Sequence, residues 1–231
     1  MIEYQDFINK KLKDFKFLKD KIESYFETRN NPYHFLKNEK CNDITLILYY
    51  LCKVLSGVET ISDSQLIVIQ IFDVFDGVFQ EYLAKIGETT GVQDKKVINS
   101  INKMNKLSVL NSDFFYLTTL IWLTYIDNSD VVVNLSDSFS QWFENKTKPI
   151  NNTYRTSYIK DFCESIAMLG GLDSETIRDI KYFGKYLTNL IENNQVEESK
   201  EYLITFIKKY KITISREMII ILIENMVLKS K

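Results

Sequence analysis

The stretch LIVIQIFDVFDGVFQEYL, Leu66 to Leu83, decides the fold. Taken at about 100° per residue, Gln70, Asp73, Asp76, Gly77, Gln80 and Glu81 fall on one broad face and the remaining faces are apolar. That is a helical period, and it makes Asp73 and Asp76, three residues apart, point the same way. A hard cation such as magnesium takes oxygen ligands, commonly one or two carboxylates together with substrate phosphates, and the spacing suits such an ion. The simpler account of the same spacing is a half-exposed helix whose polar face meets water.

Outward from this helix the helical period continues in both directions. Residues 3 to 28 carry apolar positions at Phe7, Leu12, Phe15, Leu18, Ile22 and Phe26, which predicts an amphipathic helix stopped at Asn30-Asn31-Pro32. Asn42 or Asp43 caps a second helix reaching Gly57, and its Leu46 to Cys52 run is apolar all round, as an interior element would be. The quoted helix then starts at Ser62 or Asp63 and ends near Gly87 or Gly91. A long helical stretch is predicted from about Lys95 to Asp127 with a break near Asn111, followed by a helix from Leu135 to Glu144 stopped before Pro149. Residues 153 to 169 and 174 to 194 form an antiparallel pair around Gly170-Gly171, where glycine relieves the cost of a left-handed helix end. Helices at 196 to 210 and 214 to 229 finish the chain. Val131-Val132-Val133 could open a strand, but an isolated strand has no partner here. With no linker or short repeat dividing the chain, residues 1–231 are expected to form one all-α domain, a bundle of about nine helices.

Composition narrows the function classes. An apolar share of 45% rules out disorder, and 7 glycines with 2 prolines are too few for a turn-rich β architecture. Lys and Arg number 29 against 31 acidic residues, and Arg29, Arg155, Arg178 and Arg216 are the only arginines, so no nucleic-acid partner is expected. Cys41, Cys52 and Cys163 lack metal-ligand spacing and His34 is the single histidine, so buried thiols in a reducing compartment are expected rather than a zinc site. The first residues are charged from Glu3 onward and lack the apolar core of a secretory signal. Phe114 to Ile126, broken by Thr118, Thr119 and Thr124, falls short of the roughly 20 residues a membrane span needs. A cytoplasmic chain that does not span a membrane is expected.

Phe72-Asp73-Val74-Phe75-Asp76 resembles the first aspartate-rich motif, DDxxD, of the trans-type polyprenyl diphosphate synthases. Downstream, KLSVLNSDFFYLTTL (Lys106 to Leu120) is similar to that family's helix with a Gly-Asp pair, here Ser112-Asp113. Tyr154 to Ile191 is similar to the family's Lys-Thr helix, small-residue turn and Gly-Lys/Arg-x-Leu helix, with Arg155-Thr156, Gly170-Gly171 and Gly184-Lys185-Tyr186-Leu187 in those places. The resemblance covers roughly residues 43 to 195. It implies an isoprenoid-synthase-like bundle, with Asp73 and Asp76 as a vestigial aspartate-rich motif and Arg155 and Lys185 as candidate diphosphate contacts.

The departures from that pattern carry as much meaning as the matches. The first aspartate of the first motif is replaced by Phe72, which cannot bind a cation. Where the second motif should stand the chain has Ile191-Glu192-Asn193-Asn194-Gln195-Val196-Glu197-Glu198, with no DDxxD. The basic elements that would clamp isopentenyl diphosphate are missing from NEKCNDITL, and the paired arginines are missing from GVFQEYLAKIG. Each of these supplies charge stabilisation that ionisation of an allylic diphosphate requires.

These departures resemble the small, non-catalytic subunit of heterodimeric heptaprenyl and hexaprenyl diphosphate synthases. The resemblance implies no catalytic residue and no metal ligand in this chain, a catalytic polyprenyl diphosphate synthase subunit as its heterodimer partner, and magnesium held by that partner. It also implies a share in the tunnel for the growing isoprenoid, with Phe72, Phe75 and Phe79 as candidate wall or chain-length residues; core packing is the simpler account of each. A homodimer in the partner's absence stays open. Two other readings remain: an active small class I prenyl transferase or terpene synthase using magnesium and an allylic diphosphate, and an unrelated helical protein-interaction module.

Overall fold

Where each helix begins and ends follows from how its free amides and carbonyls are satisfied. A computed structural model describes residues 4–27, 42–57, 60–79, 116–146, 158–192, 194–210 and 214–229. Its helices are α1 (Tyr4–Glu27), α2 (Asp43–Ser56), α3 (Asp63–Asp73, continued by a π-helical turn Val74–Phe79), α4 (116–123), α5 (Ser129–Lys146), α6 (Ile159–Leu169), α7 (Ser174–Ile191), α8 (Val196–Lys208) and α9 (Ile214–Lys229). No strand occurs among the described residues, so the all-α expectation holds.

Asn42 starts α2 by accepting a hydrogen bond from the Ile44 amide at 2.9 Å, and Gly57, at φ 67°, ends it in the left-handed region. Ser62 and Gln65 form a reciprocal capping box at the start of α3, with bonds of 3.2 and 3.0 Å. Between α6 and α7 the left-handed residue is Gly171, at φ 65°, while Asp173 caps α7 through the amides of Glu175 and Thr176.

Two boundaries differ from the expectation. The helix predicted to run to Asp127 stops at residue 123, and α5 starts at Ser129, six residues ahead of Leu135. The cause is Asn128, whose side-chain oxygen accepts from the Val131 amide at 3.1 Å and caps a helix that takes in the whole valine triplet. Burial of Val131 and Leu135 on one side of α5 outweighs the mild helix cost of β-branching. The expected break near Asn111 and the end of the quoted helix near Gly87 or Gly91 lie outside the described residues.

The core is built around α2 and α3. Every residue from Ile44 to Cys52 is buried, because α2 is covered by α9, α3 and α6. On α1, Phe7, Phe15, Leu18 and Ile22 form the buried stripe, whereas Leu12 is 56% exposed and does not belong to it. Lys11 donates to Asp43, and the Tyr50 hydroxyl donates to Asp14 at 2.8 Å, which hold α1 along α2. At the α6–α7 crossing Gly184 has no room for a side chain: a Cβ there would meet Lys160 Cα at 2.5 Å. No described helix is long and apolar enough to cross a membrane.

Candidate functional site

Over Gln70, Asp73 and Asp76 the carboxylate helix does not turn its polar face fully to water; Gln80 and Glu81 lie outside the described residues. Asp73 is fully buried and Asp76 is half-buried, and both meet the first turn of α2. The half-exposed helix allowed by the spacing is therefore corrected: α1 and the N-terminus of α2 cover the face that periodicity marks as polar. The spacing did place the two carboxylates on a common side, since Asn42 and Thr45, one turn apart on α2, contact one each.

Every oxygen of the two carboxylates has a protein donor. Asp73 Oδ1 accepts from the Thr45 hydroxyl at 2.8 Å, and Asp73 Oδ2 accepts from Lys19 Nζ. Asp76 Oδ2 accepts from Asn42 Nδ2 at 2.8 Å, and Asp76 Oδ1 accepts from the Tyr158 hydroxyl. The N-terminus of α2 adds its positive end to the same side. Burial pushes the Asp76 carboxyl above the usual carboxylate range; the bonds from Tyr158 and Asn42 pull it back in part, and the neighbouring charge of Asp73 raises it further. Lys19 supplies the positive charge beside Asp73 that a divalent ion would otherwise supply, so the pair does not fit a magnesium ion without displacing the protein's own donors. Among the described residues no group of three or more His, Cys, Asp or Glu side chains is placed to hold a metal.

Phe72 and Phe75 belong to an aromatic cluster around the same helix. The Phe72 ring meets Phe162 edge-on at 5.1 Å, and Phe75 lies 4.9 Å from both Phe139 and Tyr158. Tyr158 thus packs against Phe75 with its ring and bonds Asp76 with its hydroxyl, joining the apolar and polar halves of the site.

No family model matches the chain, and no curated protein does. Among solved structures the chain is similar to a deletion mutant of the mint heterotetrameric geranyl pyrophosphate synthase in complex with ligands. The TM-score is 0.54 at 12% identity, over 90% of this chain and 98% of that one. The chain shares the helical fold of that structure. At that identity the likeness is one of fold. Coverage of both chains almost throughout means that this chain and its structural neighbour are close in length.

On this fold the anticipated residues are not all brought together. Asp73, Asp76, Phe72 and Phe75 share the carboxylate helix and its surroundings, and Lys185 is exposed on α7. Arg155, Cys41 and Ser112-Asp113 lie outside the described residues, and so does the side chain of Phe79. Cys52 and Cys163 are buried, and burial pushes both thiols far above their ordinary range. The Asn134 amide donates to the Asp161 carbonyl at 3.1 Å and to Ser165 Oγ at 3.0 Å.

Sequence reasoning missed Lys19, Thr45 and Tyr158 as partners of the two aspartates, and it read Asn42 only as a helix cap, not as a partner of Asp76. Lys19 carried a signal: it is four residues after Phe15 and three before Ile22, so it sits inside the apolar stripe of α1. A lysine in such a position needs a buried acid.

Proposed function

We propose that the chain is a non-catalytic subunit of a heteromeric polyprenyl diphosphate synthase, acting in the cytoplasm, where it pairs with a catalytic chain and helps set isoprenoid length. The observation that carries this reading is the occupation of all four carboxylate oxygens of Asp73 and Asp76 by Lys19, Thr45, Tyr158 and Asn42. Ionising an allylic diphosphate calls for carboxylates open to metal ions that neutralise the departing anion. Here the surviving carboxylates hold helices together, and Phe72 stands in the place of a third. The heteromeric make-up of the structural neighbour and its similar length add support.

In this role the chain needs no cofactor of its own, and magnesium belongs to the partner. Phe72, Phe75 and Phe79 back or line the isoprenoid tunnel, and Arg155 with Lys185 supplies residual contact to diphosphate. The test is incorporation of radiolabelled isopentenyl diphosphate onto an allylic primer with magnesium, using the catalytic chain with and without this one. Changed activity or product length on adding this chain supports the proposal. Identical rate and product length, with no co-elution of the two chains, would contradict it and favour a helical interaction module of another kind.

A further inference from the structure

One turn before Asp73, Gln70 places a primary amide where no part of it reaches solvent. Neither its Oε1 nor its Nε2 has a hydrogen-bond partner among the described residues. A glutamine amide carries two N–H donors and a carbonyl oxygen, and protein interiors leave very few such groups unpaired. Leucine would fill the same volume without that cost, so the amide calls for an occupant that bonds to it.

The surroundings select the chemistry of that occupant. Asp73 lies three residues after Gln70, which puts the two side chains on neighbouring positions of one side of α3. Lys19 Nζ has three N–H donors and gives one to Asp73 Oδ2. Its charge also lies 5.3 Å from the Phe15 ring centroid, a contact that uses no N–H of fixed direction. Lysine and aspartate balance in charge, so an ion is disfavoured. The amide asks for a donor and an acceptor in one small neutral molecule, and Lys19 has N–H groups to spare for an acceptor. Water meets all of these requirements, and a buried water needs two to four such partners.

We propose that Gln70 binds an ordered internal water beside the Lys19–Asp73 pair, and that this water links the amide of α3 to the ammonium of α1. The site is independent of any partner synthase. Two measurements on the full chain test it: a crystal structure at a resolution that shows ordered solvent, and water relaxation dispersion on wild type and Gln70→Leu. The expected result is density within about 3.2 Å of both the Gln70 amide and Lys19 Nζ, with at least one more long-lived water in the wild type than in the variant. An amide that is dry, or paired with a protein atom, would overturn the proposal, as would equal numbers of long-lived waters in two folded proteins. If Gln70→Leu does not fold, the wild-type density alone decides.

Discussion

Replacing Lys19 by methionine removes the one cation paired with Asp73 among the described residues while keeping most of the side chain's volume. The Lys19 side chain is 6% exposed and that of Asp73 is 0% exposed, so neither can turn to water when its partner is lost. In Lys19→Met the carboxylate keeps the Thr45 hydroxyl and the partial charge at the α2 N-terminus, but no full positive charge among the described residues. Breaking a buried pair from one side costs about 3–5 kcal/mol. For a chain of this length each kcal/mol moves Tm by about 2–4 °C, so the variant should melt roughly 6–20 °C lower. Urea unfolding at neutral pH, followed by circular dichroism, gives the same quantity as a lower midpoint at unchanged slope. The double variant Lys19→Met with Asp73→Asn should recover most of the loss, because no charge is then buried alone and the asparagine oxygen can still accept from Thr45. The reasoning fails if Lys19→Met lies within about 0.5 kcal/mol of wild type, or if the double variant is no more stable than the single one.

Three further outcomes follow from the same contacts. Gly184→Ala should lose about 1–3 kcal/mol in denaturant unfolding, against the gain of about 1 kcal/mol that alanine brings to an open helix position, because its Cβ would collide with the backbone of α6. Folded Asp76 keeps its proton to higher pH than in the unfolded chain, so the native state binds more protons in that window and stability falls as pH rises from the ordinary carboxylate value through the raised one. Asp161 slopes the same way, so the wild type minus Asp76→Asn difference should isolate a fall with rising pH, and a flat or rising difference would refute the assignment. A thiol reagent at pH 8 should leave Cys52 and Cys163 unmodified in the folded chain and reach both in denaturant, as peptide mapping would show; rapid native labelling of either would contradict their burial.

The architecture was legible wherever period and capping agreed. The all-round apolar run of α2 announced an interior helix, Ser62 marked the start of α3, and the glycine pair at 170–171 marked the turn between α6 and α7. The valine triplet was harder, because a single capping side chain at Asn128 and burial beyond it override a local β preference. The site was legible only by half. Periodicity showed that Asp73 and Asp76 share a side of α3, but it cannot say what covers that side, and the answer came from Lys19, 54 residues away, and Tyr158, 82 residues away. Phe72 illustrates the same limit: its place in the resemblance is visible in sequence, whereas its edge-on contact with Phe162 exists only in the fold.

The central claim is that the carboxylate helix is closed to metal-assisted chemistry in the chain by itself. Pyrophosphate release from an allylic diphosphate, followed with magnesium on the isolated chain, tests this most directly. The account predicts none above the enzyme-free rate, with Asp73→Asn and Asp76→Asn indistinguishable from wild type. Magnesium-dependent turnover that disappears in either variant, while its circular dichroism stays that of the folded chain, would contradict the account and make the two aspartates metal ligands.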